Sequence, residues 1–551
     1  MKAARSSPIA SVPPPKRWDR EADVVVVGTG GGGLAATARV AEGGSSVITI
    51  DKSPEDWVGG GTKQALVFIT FGGTRYQNAA RFALPTFPFD PDALVQYMLP
   101  HYNYSVDSRL LRELAVKGAE CVDWMGDCGV LWSLDPLSGP TGHIWEGADE
   151  GGFIARGMKP ITDHMYSFSL RQGAQFSFRT ELQALVQDGK RVIGVKCRTD
   201  KGTLYLRARR GVVLAAGGFA NNREMLKKYI PQAYAGAACS YAMPSDTGEA
   251  IRMGIGLGAD IAGLGSSVSF DGGVDWLHEQ RGSFYQYLYN GSTQLARQPW
   301  LGVDISGKRY PFLDAYPGGF SANVWQKMDS QAIVLMSQPG GRGYVIFDHD
   351  YEAHILRFKQ VGCRKPITPD MPNLDRMPTW VAPHDWREGA RLAIEKGVIK
   401  RANSIEELGE LLNFEPGVLS ASVRRWNETC EAGVDSELHF PPEWLIPVLK
   451  PPFYGIRIGA NLFATKCGLR VNTKMQVLNT KQQVIPGLYA AFHTAGGAVG
   501  ENASSLGGIL HSAGLSWTSG YIAGCALTQS IANSEPSGIQ SENEESLPAR
   551  E

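Results

Sequence analysis

Four residues near the start have the types and spacing to hold phosphate and sugar. Gly28, Gly30 and Gly33 stand in G-x-G-x-x-G order, and Asp51 follows Gly28 by 23 residues. Gly28 permits a tight turn, Gly30 lets a pyrophosphate approach the backbone, and Gly33 lets a helix pack closely on a strand. A helix that starts at such a turn offers free N–H groups and a partial positive charge to the phosphates. Asp51 can accept hydrogen bonds from a ribose diol. The set predicts a dinucleotide site.

The flanking elements are the ones such a site needs. Val24–Val27 is an apolar, β-branched run suited to a strand buried on both faces. Leu34–Glu42 is Ala-rich and predicts a helix. Val47–Ile50 predicts a second buried strand that ends at Asp51. Two small-residue loops follow, Gly59-Gly60-Gly61-Thr62 and Phe71-Gly72-Gly73-Thr74, which suit backbone passing close to a flat ligand. Asp107–Gly129 has helical periodicity. Gln175–Val186 contains a strand, residues 188–191 a hairpin turn, and Val192–Cys197 the return strand. Gly211–Phe219 is a buried strand ending in Gly217-Gly218, where backbone meets something closely. Asp246 lies in the loop before a helix over Ala250–Leu257. Residues 265–450 are dense in aromatics and predict an inserted second domain. From Pro452 the glycine-rich α/β character returns, with a strand in Val484–Ala490, a small-residue loop at Gly496–Gly508 and a buried helix over Ile509–Leu527.

Composition narrows the function classes. The 551 residues suffice for two or more domains. Lys+Arg 54 against Asp+Glu 55 argues against a nucleic-acid or polybasic-membrane partner. No apolar run is long enough for a membrane span. The eight cysteines have no C-x-x-C spacing and the ten histidines no ligand spacing, so a reduced, cytoplasmic protein without a metal is expected. Residues 1–20 read as a disordered leader and 532–551 as a loose polar tail.

Several landmarks in order resemble one family, the FAD-binding flavoproteins of the fumarate reductase and 3-ketosteroid dehydrogenase group. Besides Val24–Lys52 and Gly59–Thr62, Gly189–Phe219 is similar to the family's "DGRVVGV…ARRGVVLAAGGF" and Ser245–Asp260 to "TGDGI…GA". Gly307-Lys308-Arg309-Tyr310 resembles "GKRF", Pro452-Phe453-Tyr454 "PFYAI", Gly487–Ala491 "GLYAAGE", and Leu506-Gly507-Gly508 the closing "LGG". The resemblance implies an α/β fold: a Rossmann-like FAD-binding domain, residues 21–264 and 451–531, with an inserted α+β cap (catalytic) domain at 265–450. It implies FAD held by Gly28, Gly30, Gly32, Gly33, Asp51, Lys52, Gly59, Gly60, Gly61, Thr62, Ala216, Gly217, Asn221, Asp246, His493, Ser505 and Leu506. The last helix would aim its positive end at the flavin.

What is missing narrows the substrate. The family's paired dicarboxylate-binding histidines fall on Phe463 and Ala464. The "GANRLGG" arginine has no counterpart in 501–508, and Ala315-Tyr316-Pro317 stands near the proton-donor arginine. A dicarboxylate would meet no matching cation. A Tyr in that place is similar to ketosteroid dehydrogenases, where a base removes a proton α to a polarised carbonyl and hydride leaves for flavin N5. Tyr316 is the expected base, against the alternative of a hydrogen-bonded core or loop aromatic. Those enzymes usually carry a carbonyl-binding Tyr in the C-terminal loop, which His493–Ala498 lacks. His493, in the place of the "AAGE" acid, would contact the flavin or hold substrate oxygen, or be a structural His. Tyr287, among Tyr285, Tyr289, Tyr102 and Tyr104, is a further donor. The expectation is an FAD-dependent dehydrogenase that desaturates a cyclic ketone, steroid-like or smaller, beside its carbonyl. Its competitors are an ene-reductase running in reverse on a non-dicarboxylate alkene, and a non-catalytic flavin binder. Either enzyme needs an external electron acceptor or donor.

Overall fold

The computed structural model describes residues 11–63, 68–69, 73–76, 90–102, 104–134, 143–146, 158–240, 242–274, 295–296, 298–311, 334–357, 386–502 and 513–529. The larger sheet is organised on Arg20–Val27, whose Val24, Val25 and Val26 are fully buried. Continuous burial of β-branched residues is what a strand covered on both faces requires. It pairs in parallel with Val47–Ile50 on one side, Val27 beside Ile50. On the other side it pairs in parallel with Gly202–Leu214, Val27 beside Leu214. The far half of Gly202–Leu214 also runs parallel to Val484–Ala490, Leu214 beside Ala490. Its first half turns back antiparallel on Arg191–Thr199, which forms the expected hairpin with Glu181–Asp188. A register shift between Ala208 and Gly211 lets one long strand serve both arrangements.

The helix Gly31–Glu42 follows the glycine turn. It packs on the closing helix Ala513–Gln529 through small residues: a Cβ on Gly520 would lie 1.9 Å from the Gly32 carbonyl oxygen. The helix expected over Asp107–Gly129 is Ser108–Asp127, capped by Asp107, whose carboxylate accepts from the Arg109 N–H at 2.9 Å. Among the described residues no helix is long and apolar enough to cross a membrane.

Residues 11–19 depart from the expected disordered leader. Ser11–Val12 add a parallel edge pairing to Leu185–Val186. Trp18 lies against Gly194, where a Cβ would come within 2.7 Å of its ring, and Tyr205 N–H donates to the Asp19 carboxylate at 2.7 Å. Apolar cover for a bare glycine in a sheet gives this stretch a place to dock.

A second sheet is built on Phe453–Thr465. Ser267–Val274, Gly343–Phe347 and Ile399–Ala402 pair with it antiparallel, and Ala237–Ser240 in parallel. Apolar clusters centred on Trp300, Phe347 and Tyr454, and on Leu408, Trp426 and Phe453, pack on these elements. The strand Phe453–Thr465 starts outside the 265–450 segment and ends at the glycine-turn sheet, where Phe219 N–H donates to Thr465 Oγ1 at 3.0 Å. It links the aromatic region to the dinucleotide turn.

Candidate functional site

The carboxyl ends of Val47–Ile50, Arg20–Val27, Gly202–Leu214 and Val484–Ala490 stand side by side, and an open cleft crosses them. Asp51 lies at one end and His493 at the other. With about 4.8 Å between neighbouring strands, four strands span ~14 Å. Open α/β sheets bind ligands in this place, beyond the strand ends.

The turn between strand and helix is shaped for close approach. Gly28 has φ +105°, and a Cβ there would lie 2.2 Å from the Ala215 carbonyl oxygen. A Cβ on Gly33 would lie 1.9 Å from the Gly28 carbonyl oxygen, so Gly33 acts behind the cleft by letting helix and strand touch. Gly30 begins the helix with no side-chain cap, and no acidic residue stands in the first turn. Gly31 N–H donates to Thr62 Oγ1 at 3.0 Å. Thr62, with Gly60 and Gly61, lines the cleft. Gly59, at φ +95°, stands behind these against Thr162 and bridges Gly30.

At the Asp51 end, part of the carboxylate is already engaged. Oδ2 accepts from Thr29 N–H (2.8 Å) and Thr29 Oγ1 (2.7 Å), and Oδ1 from Ser53 N–H (2.8 Å). Asp51 thus ties the second strand end to the glycine turn while lining the cleft. Lys52 Nζ donates to Glu249 Oε1 and Thr247 Oγ1, each at 2.8 Å. Burial pushes the Glu249 carboxyl up, but the Lys52 charge and the hydrogen bonds from Lys52 and Thr247 outweigh it and hold it below the usual range. Asp246 stands over Gly217, where a Cβ would come 2.4 Å from Oδ1, which is why a glycine at φ +77° is needed there. Burial pushes the Asp246 carboxyl up to about 7, with Lys52 opposing and Glu249 adding. Its half-covered position lets cleft water moderate that rise.

Asn221 does not line the cleft. Its side-chain amide donates to the Met243 carbonyl (2.6 Å) and its N–H to the Asp246 carbonyl (2.9 Å), so it braces the loop that carries Asp246. Ala216 and Gly217 do line it.

At the far end stand Phe463, Ala464, Phe492 and His493. The His493 ring sits edge-on to Phe492, centroids 4.5 Å apart. Burial, and then the charge of Lys466, pull its imidazole down to about 3, so it is neutral at ordinary pH. The two positions without the paired histidines are therefore part of the cleft wall. Tyr316, Tyr287, Ser505 and Leu506 lie outside the described residues. Of the other tyrosines considered, Tyr102 is buried in the core of the larger sheet and Tyr104 is 72 % exposed, which leaves Tyr104 poorly placed to act in a dry pocket. Spacing did not single out Gly31, Met243 or Ser516, which also line the cleft; a run of four glycines and a helix that docks only in three dimensions gave little signal for them.

The family described as FAD binding domain matches residues 23–510. The chain belongs to this family. A vinyl phenol reductase of Lactiplantibacillus plantarum is 26 % identical over 87 % of this chain and 91 % of its own length. A fumarate reductase (cytochrome) of Shewanella frigidimarina is 25 % identical over 92 % of this chain and 76 % of its own. The fold is similar to that of a 3-ketosteroid Δ1-dehydrogenase from Sterolibacterium denitrificans, with TM-score 0.66 and 18 % identity over 93 % of this chain and all of that one. The cofactor is FAD, and the cleft suits it: a turn that a side chain would fill, an uncapped helix start, a carboxylate at one end and apolar walls at the other. The chain is an FAD-dependent oxidoreductase by family.

Proposed function

We propose that the protein exchanges hydride between FAD and a carbon–carbon bond of an uncharged ring substrate, beside the group that activates that bond. Desaturation of a cyclic ketone, 3-ketosteroid-like or smaller, is one direction. The reverse, reduction of a neutral activated alkene, is the second reading, favoured by the end-to-end likeness to a vinyl phenol reductase. The observation that carries the substrate class is the wall of Phe463 and Ala464 beside His493. A dicarboxylate needs fixed cations, and a neutral aromatic and a methyl group offer none.

FAD supplies a hydride acceptor or donor at N5 when bound. The chain's own groups do the rest. The glycine turn and helix start would hold the pyrophosphate and Asp51 the ribose end, which would leave the His493 end of the cleft for the ring. Phe463 and Phe492 exclude water, which strengthens each remaining hydrogen bond. Neutral His493 offers one N–H donor and one lone pair, fit for a carbonyl oxygen or for the cofactor. Tyr316 is the proposed base for the α proton, and Tyr287 a proposed carbonyl donor. Electrons pass to or from an external partner, in a cytoplasmic setting.

The test is an anaerobic screen of the FAD-loaded protein. Bleaching of the yellow colour by a cyclic ketone supports desaturation. Reoxidation of dithionite-bleached protein by a neutral enone or vinyl phenol supports reduction. A cofactor indifferent to every neutral substrate in both directions contradicts the proposal.

A further inference from the structure

A buried lysine stands behind the His493 end of the cleft. Phe463 and Ala464 line the cleft, and two residues on from Ala464 comes Lys466, whose side chain is fully covered. Its backbone N–H donates to the Ser266 carbonyl at 3.0 Å, and Thr465 is fixed to Phe219 N–H, so the segment is held on both sides. The strand Gly468–Arg470 runs parallel to Ala495–Gly496, with Leu469 beside Ala495. A Cβ on Gly263 would lie 2.6 Å from the Lys466 carbonyl oxygen and 3.3 Å from the Gly497 backbone nitrogen, so the Lys466 segment runs against the loop that follows His493. The charge of Lys466 reaches His493 and helps keep the ring neutral. The Glu501 carboxylate, whose charge is felt at Cys467, accepts from Gly263 N–H at 3.0 Å.

An ammonium taken out of water has a strong field, because little solvent screens it. Cofactor reduction adds two electrons and one proton and leaves one net negative charge on the ring. We propose that Lys466 is a positioning residue that sets the reduction equilibrium of bound FAD, its buried ammonium balancing the charge gained on reduction. This rests on the reading that the flavin ring lies at the His493 end.

The experiment uses the full-length FAD-loaded protein and its Lys466→Met, Lys466→Arg and His493→Phe variants. Each is equilibrated anaerobically with a reference dye, and FAD content is measured alongside. Lys466→Met is expected to lower the reduction equilibrium constant roughly tenfold or more, which is about 30 mV for a two-electron couple. FAD content should hold, and Lys466→Arg should stay within about threefold of the native value. A Lys466→Met value within about threefold of native, with FAD bound, overturns the proposal. If that variant does not fold, Lys466→Gln carries the same thresholds. His493→Phe separates the two layers. If it shifts the flavin spectrum while Lys466→Met leaves the equilibrium unmoved, the Lys466 role alone fails. If His493→Phe leaves spectrum and equilibrium unmoved, the placement of the ring fails, and the Lys466 proposal with it.

Discussion

Replacing Gly33 with alanine isolates the packing on which the dinucleotide turn depends. Gly33 lies inside the helix Gly31–Glu42, so alanine meets no backbone strain and gains about 1 kcal/mol of helix propensity. Against that, its Cβ would sit 1.9 Å from the Gly28 carbonyl oxygen, a backbone atom. Helix and turn must part by more than about 1 Å to restore ordinary contact, and overpacking of this kind costs about 1–3 kcal/mol and sometimes more. The clash wins, and the displaced turn would no longer present its N–H groups where the proposed site takes the pyrophosphate. A loss of about 2 kcal/mol in cofactor binding is ~30-fold in Kd. The assay is titration of the apoprotein with FAD, followed by flavin fluorescence. Gly44→Ala is the control: Gly44 also has positive φ (+75°), but a Cβ there meets nothing within 4 Å. It should cost about 1–2 kcal/mol of stability from backbone strain and leave FAD affinity unchanged. Gly33→Ala protein that binds FAD within about threefold of native would refute the reasoning.

Three further outcomes follow from groups in and beyond the cleft. Asp246 has its folded pKa raised from 3.8 to about 7, so the folded apoprotein holds that proton longer than the unfolded chain, and its contribution to stability falls as pH rises through that window. Asp246→Asn should flatten the fall in apoprotein Tm between pH 4 and 7; an unchanged profile counts against the buried-acid reading. His493, drawn down to about 3, should show no ring titration by NMR between pH 5 and 8, and a midpoint near 6.5 would contradict its burial. In the second sheet, Asp435 takes two hydrogen bonds from Arg309 at 2.7 and 2.8 Å, and the Arg309 side chain is only 8 % exposed. Asp435→Ala leaves that guanidinium without its buried partner and should destabilise by about 3–5 kcal/mol in denaturant unfolding; a loss under about 1 kcal/mol would show the pair to be solvated.

The strand–turn–helix–strand unit that carries the glycine turn was legible because its signals are local. Gly28, Gly30, Gly33 and Asp51 occupy one strand–turn–helix–strand unit, where spacing alone fixes geometry. The strands and hairpin of 175–214 were legible for the same reason, their pattern of apolar residues and turn glycines being contiguous. The pairing of Lys52 with Glu249 spans 197 residues, and no pattern in either segment announces it. The spacing points to Asp51 as a ribose acceptor but carries no sign that its carboxylate also holds Thr29 and Ser53. The docking of Trp18 on Gly194 is likewise a contact between distant segments, so a polar, Pro-rich stretch read as a leader. Phe453–Thr465 reads as one apolar strand, but its position at the join of both sheets depends on four partners drawn from 237 to 402. That Phe463 and Ala464 stand where the family has paired histidines was legible in the sequence, whereas their place on the cleft wall beside His493 depends on how distant segments meet.

An FAD oxidoreductase whose cleft favours an uncharged substrate should discriminate sharply against fumarate. The most direct test is stopped-flow reoxidation of the anaerobically reduced, FAD-loaded protein by fumarate and by a neutral cyclic enone at equal concentration. Fast return of the yellow colour is expected with the enone and none above background with fumarate. Reoxidation by fumarate as fast as by the enone would contradict that preference.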